Sequence, residues 1–481
     1  MLSETASRPL DAVVPGASVA SRRGVLGSGA ALALGATGIG GALTGCASRD
    51  NGATKPAAST QPVLLRFASN ASPGAEEPVL NAVIAEYKNR RPNVTVEAQY
   101  TSADRLREQL VVQLASGGVP DVFRQNDDEV KGTAASGGLL DLTPFMKTYK
   151  VRTEDYFPLA YEDVPRWEGK IYAVQTGGRP EAIFYNKRLL QEAGVPFPPK
   201  TPSTAWAWNE FRGHLPKLIK RDSGGRPITW AFAWEYWTFD RIGQMNGTEG
   251  LVKCDLSEFT MHQARNVEVL RDLQNLLRDG LAAPYGMWSS PGVTNMFANG
   301  QLAMAVLHSS AQPQLIRATQ EQGLEWDIAP WPRFKQKTLS CTYLDSFSLA
   351  KATSAPDAAA EFAFFLISDY AADRWMFGPE PKAGVRGPTV PMLRKSFRDP
   401  RWLDASLAPA NVQLWEQQIL NDARFPGSAC YRELTEPMRP HMESVWNVEG
   451  DPQQEMELLR PKINAILKSC PKEKASRKIT C

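Results

Sequence analysis

Apolar residues at helical spacing, bracketed by short apolar runs, constrain this chain more than any other feature. Val79, Leu80, Val83, Ile84 and Tyr87 recur with the period of an amphipathic helix until Arg91-Pro92 stops them. Residues 63–68 precede that helix as a short apolar strand, and Val94-Thr95-Val96 follow it with strand alternation. Leu106, Leu110, Val111 and Leu114 mark a second helix ending at Gly117-Gly118, and Val122-Phe123 form a third strand. Strand, helix, strand, helix, strand with short connections predicts an α/β fold whose parallel sheet is covered by helices on both faces. Ligands of such sheets sit at the carboxyl ends of the strands, here the loops 69–75 and 124–128.

The pattern continues past residue 171. Ile183-Phe184-Tyr185 reads as a strand leading into a helix over 186–193, and residues 205–219 are mostly helical despite Pro216. Val267, Leu270, Leu273, Leu276 and Leu277 form an amphipathic helix, 302–306 and 326–329 are strands, and 356–368 and 453–467 are helices. Some 420 residues of folded chain exceed what one hydrophobic core usually holds, so two domains are expected.

Upstream of this region, Arg22-Arg23 precedes residues 24–43, a stretch without ionisable side chains, and then comes Leu43-Thr44-Gly45-Cys46. A charged pair, an apolar run and small residues before a cysteine have the order of an export signal. The pair resembles a twin-arginine signal and the last four residues a bacterial lipobox, so residues 1–46 are expected to be a signal peptide with Cys46 as the lipidated mature N-terminus. An uncleaved transmembrane anchor is the alternative reading of the apolar stretch. Residues 47–61, rich in Ala, Ser and Thr, read as a flexible tether.

A formal net charge of +2 with 22% charged residues leaves no electrostatic footprint for nucleic acid. Apart from Cys46, the cysteines Cys254, Cys341, Cys430, Cys470 and Cys481 have no metal-type spacing, so neither metal nor cofactor is expected and their pairing stays open. No GxSxG, HExxH or phosphate-cradling GxxxxGK[ST] motif occurs. His214, His262, His308 and His441 are scattered and read as structural or surface residues. The densest aromatic segment is 230–240, with Trp230, Phe232 and Trp234 on one face of a strand. Trp234, Glu235 and Trp237, together with Trp288, combine flat indoles with a carboxylate, a set that suits a sugar with its apolar C–H faces and its hydroxyls.

Six segments follow one another along the chain: Leu114-Ala115-Ser116-Gly117-Gly118-Val119-Pro120-Asp121-Val122-Phe123, the run Gly137-Gly138-Leu139-Leu140-Asp141-Leu142-Thr143-Pro144-Phe145, Glu168-Gly169-Lys170-Ile171-Tyr172-Ala173-Val174, Phe184-Tyr185-Asn186-Lys187, Phe297-Ala298-Asn299-Gly300-Gln301-Leu302-Ala303-Met304, and 358–368. In this order they resemble the carbohydrate-binding family of extracellular solute-binding proteins of bacterial ABC importers. The resemblance implies a two-lobed periplasmic-binding-protein-like fold of type II. Each lobe is a mainly parallel sheet flanked by helices, and a hinge crossed several times joins them. Lobe one is expected over 62–172 plus 336–372, and lobe two over 173–335 plus 373–481. It further implies a monomer, anchored through its N-terminal lipid, that closes on a carbohydrate and delivers it to the importer's membrane subunits without breaking a bond.

Matching positions carry the ligand contacts over. Asn70 and Ser72 occupy the first strand-to-helix loop, and Asn126 and Asp127 follow the third strand. Arg179 stands where relatives have an acid that contacts sugar, which leaves open a ligand carboxylate or a polyol phosphate. His308-Ser309-Ser310 replaces a stacking Trp, so Ser309 and Ser310 are candidates for hydroxyl contacts, and Tyr343 and Asp345 replace a glycine-rich entry to the last strand. The alternative from another class is a surface glycosidase using two of Asp127, Glu181, Glu235 and Asp240.

Overall fold

A computed structural model describes residues 61–161, 165–234, 241–335, 338, 340–382, 384–420 and 427–473. The expected signal, Cys46, residues 47–60 of the expected tether, Glu235 and Trp237 lie outside the described residues.

The strands are β1 (Val63–Ser69), β2 (Val94–Tyr100), β3 (Val122–Asn126), β4 (Arg166–Trp167), β5 (Lys170–Ile171), β6 (Ala173–Asn186), β7 (Lys220–Arg221), β8 (Pro227–Trp234), β9 (Leu302–His308), β10 (Trp326–Ala329) and β11 (Thr342–Leu349). Among the described residues nine of them join in one sheet, ordered β2-β1-β3-β11-β6-β9-β8-β7 with β10 also on β6. The opening pattern folds as its periodicity predicts: β1 runs parallel to both β2 and β3, connected by the helices Glu76–Arg90 and Ala103–Ser116. Val79, Leu80 and Val83 are fully buried, each contributing about 1.5–3 kcal/mol of transfer free energy. Ser102 caps the second helix by accepting from the Arg105 N–H, and Gly117 ends it at φ 77°, a left-handed turn that costs glycine least.

Beyond β3 the sheet is mixed rather than mainly parallel. β11 runs antiparallel to both β3 and β6, β9 and β10 are antiparallel to β6, and β8 and β9 are parallel. The cause is β6, which at fourteen residues is far longer than the strand expected around Ile183 and serves two groups of neighbours. Its first half pairs with β11, and its last residues, Glu181 to Tyr185, pair with β9. Within the β11 ladder the register slips: Thr176 and Gly177 together oppose Asp345, a bulge that bends the strand. The segment at Val390 closes on this bend through two backbone bonds with Gly178, 2.7 and 3.1 Å. Only glycine permits this approach, since a Cβ on Gly177 would lie 1.9 Å from Thr389 Cγ2.

Three later helices fall close to where apolar spacing puts them: Ala264–Arg278, Pro356–Phe365 and Pro452–Ser469. The Asn186 side chain starts the short helix Lys187–Glu192 by accepting from the Leu189 N–H at 3.1 Å. Cys430 and Cys470 form a disulfide that ties the segment at 430 to the end of the last helix, and Cys254 is also disulfide-bonded. No described helix is long and apolar enough to cross a membrane.

Candidate functional site

The carboxyl ends of β1 and β3 open onto a cavity of about 500 Å³. Asn70 follows β1, Asn126 ends β3, and Asp127 begins the 3-10 turn Asp127–Glu129, so the first wall is made at the strand ends where such sheets place their ligands. Arg179 of β6, His308 at the end of β9, and Tyr343 and Asp345 of β11 form the floor. Tyr431, Arg432 and Arg439 come from the C-terminal region, whose short helix Tyr431–Thr435 packs on the Asp127–Glu129 turn.

Beneath this surface lies a buried charge network. Arg124 donates to Glu76 at 2.9 Å and also to Asp345; Arg179 bonds Glu76 and donates through Nε to Asp345 at 3.3 Å; Thr389 donates to the same carboxylate at 3.2 Å. Two acids and two guanidiniums thus neutralise one another, which is what makes their burial tolerable. Burial by itself pushes the Glu76 carboxyl up, but Arg124 and Arg179 overcome it and hold it down at about 2. Burial likewise works against the Arg179 charge, and Asp345 and Glu76 more than offset it.

The acidic turn behaves in the opposite way. Burial pushes Asp127 up to about 6 against the attraction of Arg241. Asp128 is raised well above the carboxylate range by burial and then by its neighbours Asp127 and Glu129. Arg107 bonds Glu129 at 2.8 Å, which leaves Asp127 and Asp128 as the less compensated acids of this wall. Among the described residues no group of three or more His, Cys, Asp or Glu is arranged to hold a metal ion.

Of the candidates read from sequence, the cavity brings together Asn70, Asn126, Asp127, Arg179, Tyr343 and Asp345. Among the described residues it does not include the other candidates. Ser72 is a helix-start residue: its hydroxyl accepts from the Glu76 N–H and its own N–H donates to the Glu76 carboxylate at 3.0 Å. Trp234 is 1% exposed, its ring packed at 4.5 Å from Trp288 and 5.4 Å from Trp446, so strand alternation turned it into the core. Trp288 is spent in the same cluster and donates its indole N–H to the Ala283 carbonyl. Ser309 is fully buried and Ser310 half-buried in the 3-10 turn that follows β9, beyond the residue that reaches the cavity. That residue is His308, read from sequence as structural or surface; its position just past a predicted strand end was the available signal. Glu76 and Arg124 were missed because their roles depend on partners far along the chain.

The model of the bacterial extracellular solute-binding protein family matches residues 71–380. The chain belongs to this family. An uncharacterized lipoprotein encoded in the oleD 5' region of Streptomyces antibioticus is 23% identical over 361 residues, 73% of this chain and 78% of that protein. Among solved structures, the ABC substrate-binding protein Lmo0181 of Listeria monocytogenes in complex with cycloalternan superposes with a TM-score of 0.74 at 22% identity, over 85% of this chain and 100% of its own. The GacH receptor of Streptomyces glaucescens, solved unliganded and with acarbose, gives 0.69 at 19% identity over 85% and 98%. The maltose/maltodextrin-binding domain of Bdellovibrio bacteriovorus bound to maltotriose gives 0.67 at 16% over 84% and 99%. These likenesses show the two-lobed periplasmic-binding-protein fold, with β6 as the strand common to both halves of its sheet.

Proposed function

We propose that this solute-binding protein is a lipid-anchored subunit of an ABC importer that captures a sugar or oligosaccharide in the cavity at the ends of β1 and β3. The observation that carries the reading is the lining itself: Asn70, Asn126 and Asp127 offer amides and an acceptor, and Tyr343 adds an aromatic ring on the floor, the mixture a polyhydroxyl ligand needs. The solved structures with cycloalternan, acarbose and maltotriose support the sugar class. Pairing of Arg179 with Glu76 and Asp345 speaks against a ligand phosphate or carboxylate at that position, because the guanidinium already serves two acids.

The bend of β6 supports a lobe crossing at Gly177-Gly178, a few residues beyond the expected boundary at 172, with further crossings between β10 and β11 and near Val390. Closing about these crossings buries the solute and presents one closed shape to the permease. The lipobox at Cys46 and the lipoprotein relative support anchoring on the extracytoplasmic face.

The test is a thermal-shift screen of residues 47–481 against mono- and oligosaccharides, since a ligand bound only by the folded state raises its stability. A rise with one carbohydrate that is recovered chemically intact supports a binding protein. Hydrolysis that disappears in Asp127→Asn would establish the glycosidase instead.

A further inference from the structure

One acid near the cleft is unexplained by the charge network. Glu181 is completely buried, its Oε1 lies 2.9 Å from His308 Nε2, and its Oε2 has no hydrogen-bond partner. The strand ladders explain its place. Glu181 pairs directly with His308 of β9, and Arg179, two residues earlier on the same face of β6, pairs with Tyr343 of β11. The His308 and Tyr343 rings then meet edge to face over β6 at 5.1 Å, and the Arg241 guanidinium lies 4.8 Å from the centre of the Tyr343 ring. Arg179, Tyr343 and His308 line the cavity, while Glu181 lies behind them.

A buried carboxylate with one unsatisfied oxygen is costly, and a glutamine would keep one hydrogen bond to the imidazole at lower cost. What glutamine would not supply is charge. An ionised Glu181 demands a proton on Nε2, and so fixes both the tautomer and the plane of the ring whose remainder lines the cleft. Backbone bonds hold Glu181 in turn: its N–H donates to the Cys341 carbonyl at 2.8 Å, and Gln418 donates to its carbonyl at 2.8 Å.

We infer that His308 contacts a hydroxyl of the bound solute and that Glu181 is the positioning residue that orients its ring. The inference rests on the sugar reading for the ligand's identity, but not for the Glu181–His308 pairing.

Two measurements separate these parts. Ring-nitrogen NMR of the ¹⁵N-histidine-labelled protein should show His308 with a protonated Nε2, and Glu181→Gln should change the His308 signals while leaving those of His214, His262 and His441 in place. Unchanged His308 signals in that variant would overturn the positioning role. Calorimetric titration with maltotriose, or with the carbohydrate that gave the largest thermal shift, should show at least a tenfold loss of affinity in His308→Gln and a smaller loss in Glu181→Gln, each measured below the melting transition of that variant. Equal affinity in wild type and His308→Gln would overturn the contact. Should the wild-type chain bind no carbohydrate, the sugar reading fails and the ligand role of His308 with it, while the ring signals still decide on Glu181.

Discussion

Asp127→Asn should make the protein more stable and less able to bind. In the folded chain burial raises the Asp127 carboxyl from 3.8 to about 6, and the side chain is 8% exposed, so solvent screening is slight. A group whose folded value is raised is least costly below its unfolded value, and its stabilising contribution disappears as pH rises through the folded value. Between about pH 4 and 6 the wild type therefore loses stability that an asparagine does not, and the difference levels off at roughly 3 kcal/mol above pH 6. Urea unfolding followed by tryptophan fluorescence at pH 4, 5, 6 and 7.5 reads the two curves. They should coincide at the acid end and diverge toward neutrality, with the variant higher. A variant no more stable than wild type at pH 7.5 would refute the reasoning, because the carboxylate would then be compensated by its surroundings. Binding to the sugar found in the screen should weaken in the variant at the same pH, since an amide cannot accept hydroxyl protons at both positions.

The other predictions concern the charge network, the bend of β6 and the proposed lipid anchor. Glu76→Gln should cost about 3 kcal/mol at neutral pH by leaving Arg124 and Arg179 with one carboxylate between them. Because the folded Glu76 carboxyl sits at about 2, its contribution is present above the ordinary value of 4.5 and is lost as pH falls from there to 2, so acid unfolding of the variant should be less steep in that window. Gly177→Ala should lower the melting temperature, and small-angle scattering should show an altered distance distribution, because a methyl group 1.9 Å from Thr389 Cγ2 forces the Val390 segment off the β6 bend. Cys46→Ala should shift the protein from the membrane to the soluble fraction of cells without changing solute affinity, which fractionation and titration together check.

Local order was largely legible in the sequence. The helices at 79–87, 267–277 and 453–467, and the strands at 63–68 and 326–329, were set by apolar spacing and by stops such as Arg91-Pro92 and Gly117, all properties of neighbouring residues. The loops that hold Asn70 and Asn126 followed from that order, because in a parallel sheet the strand ends must share one edge. Trp234 and Trp288 were legible as aromatics but not as core, since an indole that stacks on a sugar and one that packs on Trp446 look alike until the strand's facing side is known.

What only the tertiary structure decided is how β6 is used and which charges meet. Its fourteen residues carry no local sign that one half belongs to β11 and the other to β9. Glu76, Arg124, Arg179 and Asp345 are separated by tens to hundreds of positions, and the pairing of Glu181 with His308 spans 127. Electrostatic and hydrogen-bond energies depend on distance in space and on exclusion of water, neither of which a run of neighbouring residues encodes. The sequence determined which groups were available near the cleft, and the fold determined that Arg179 would be taken up by two acids while His308 remained at the wall.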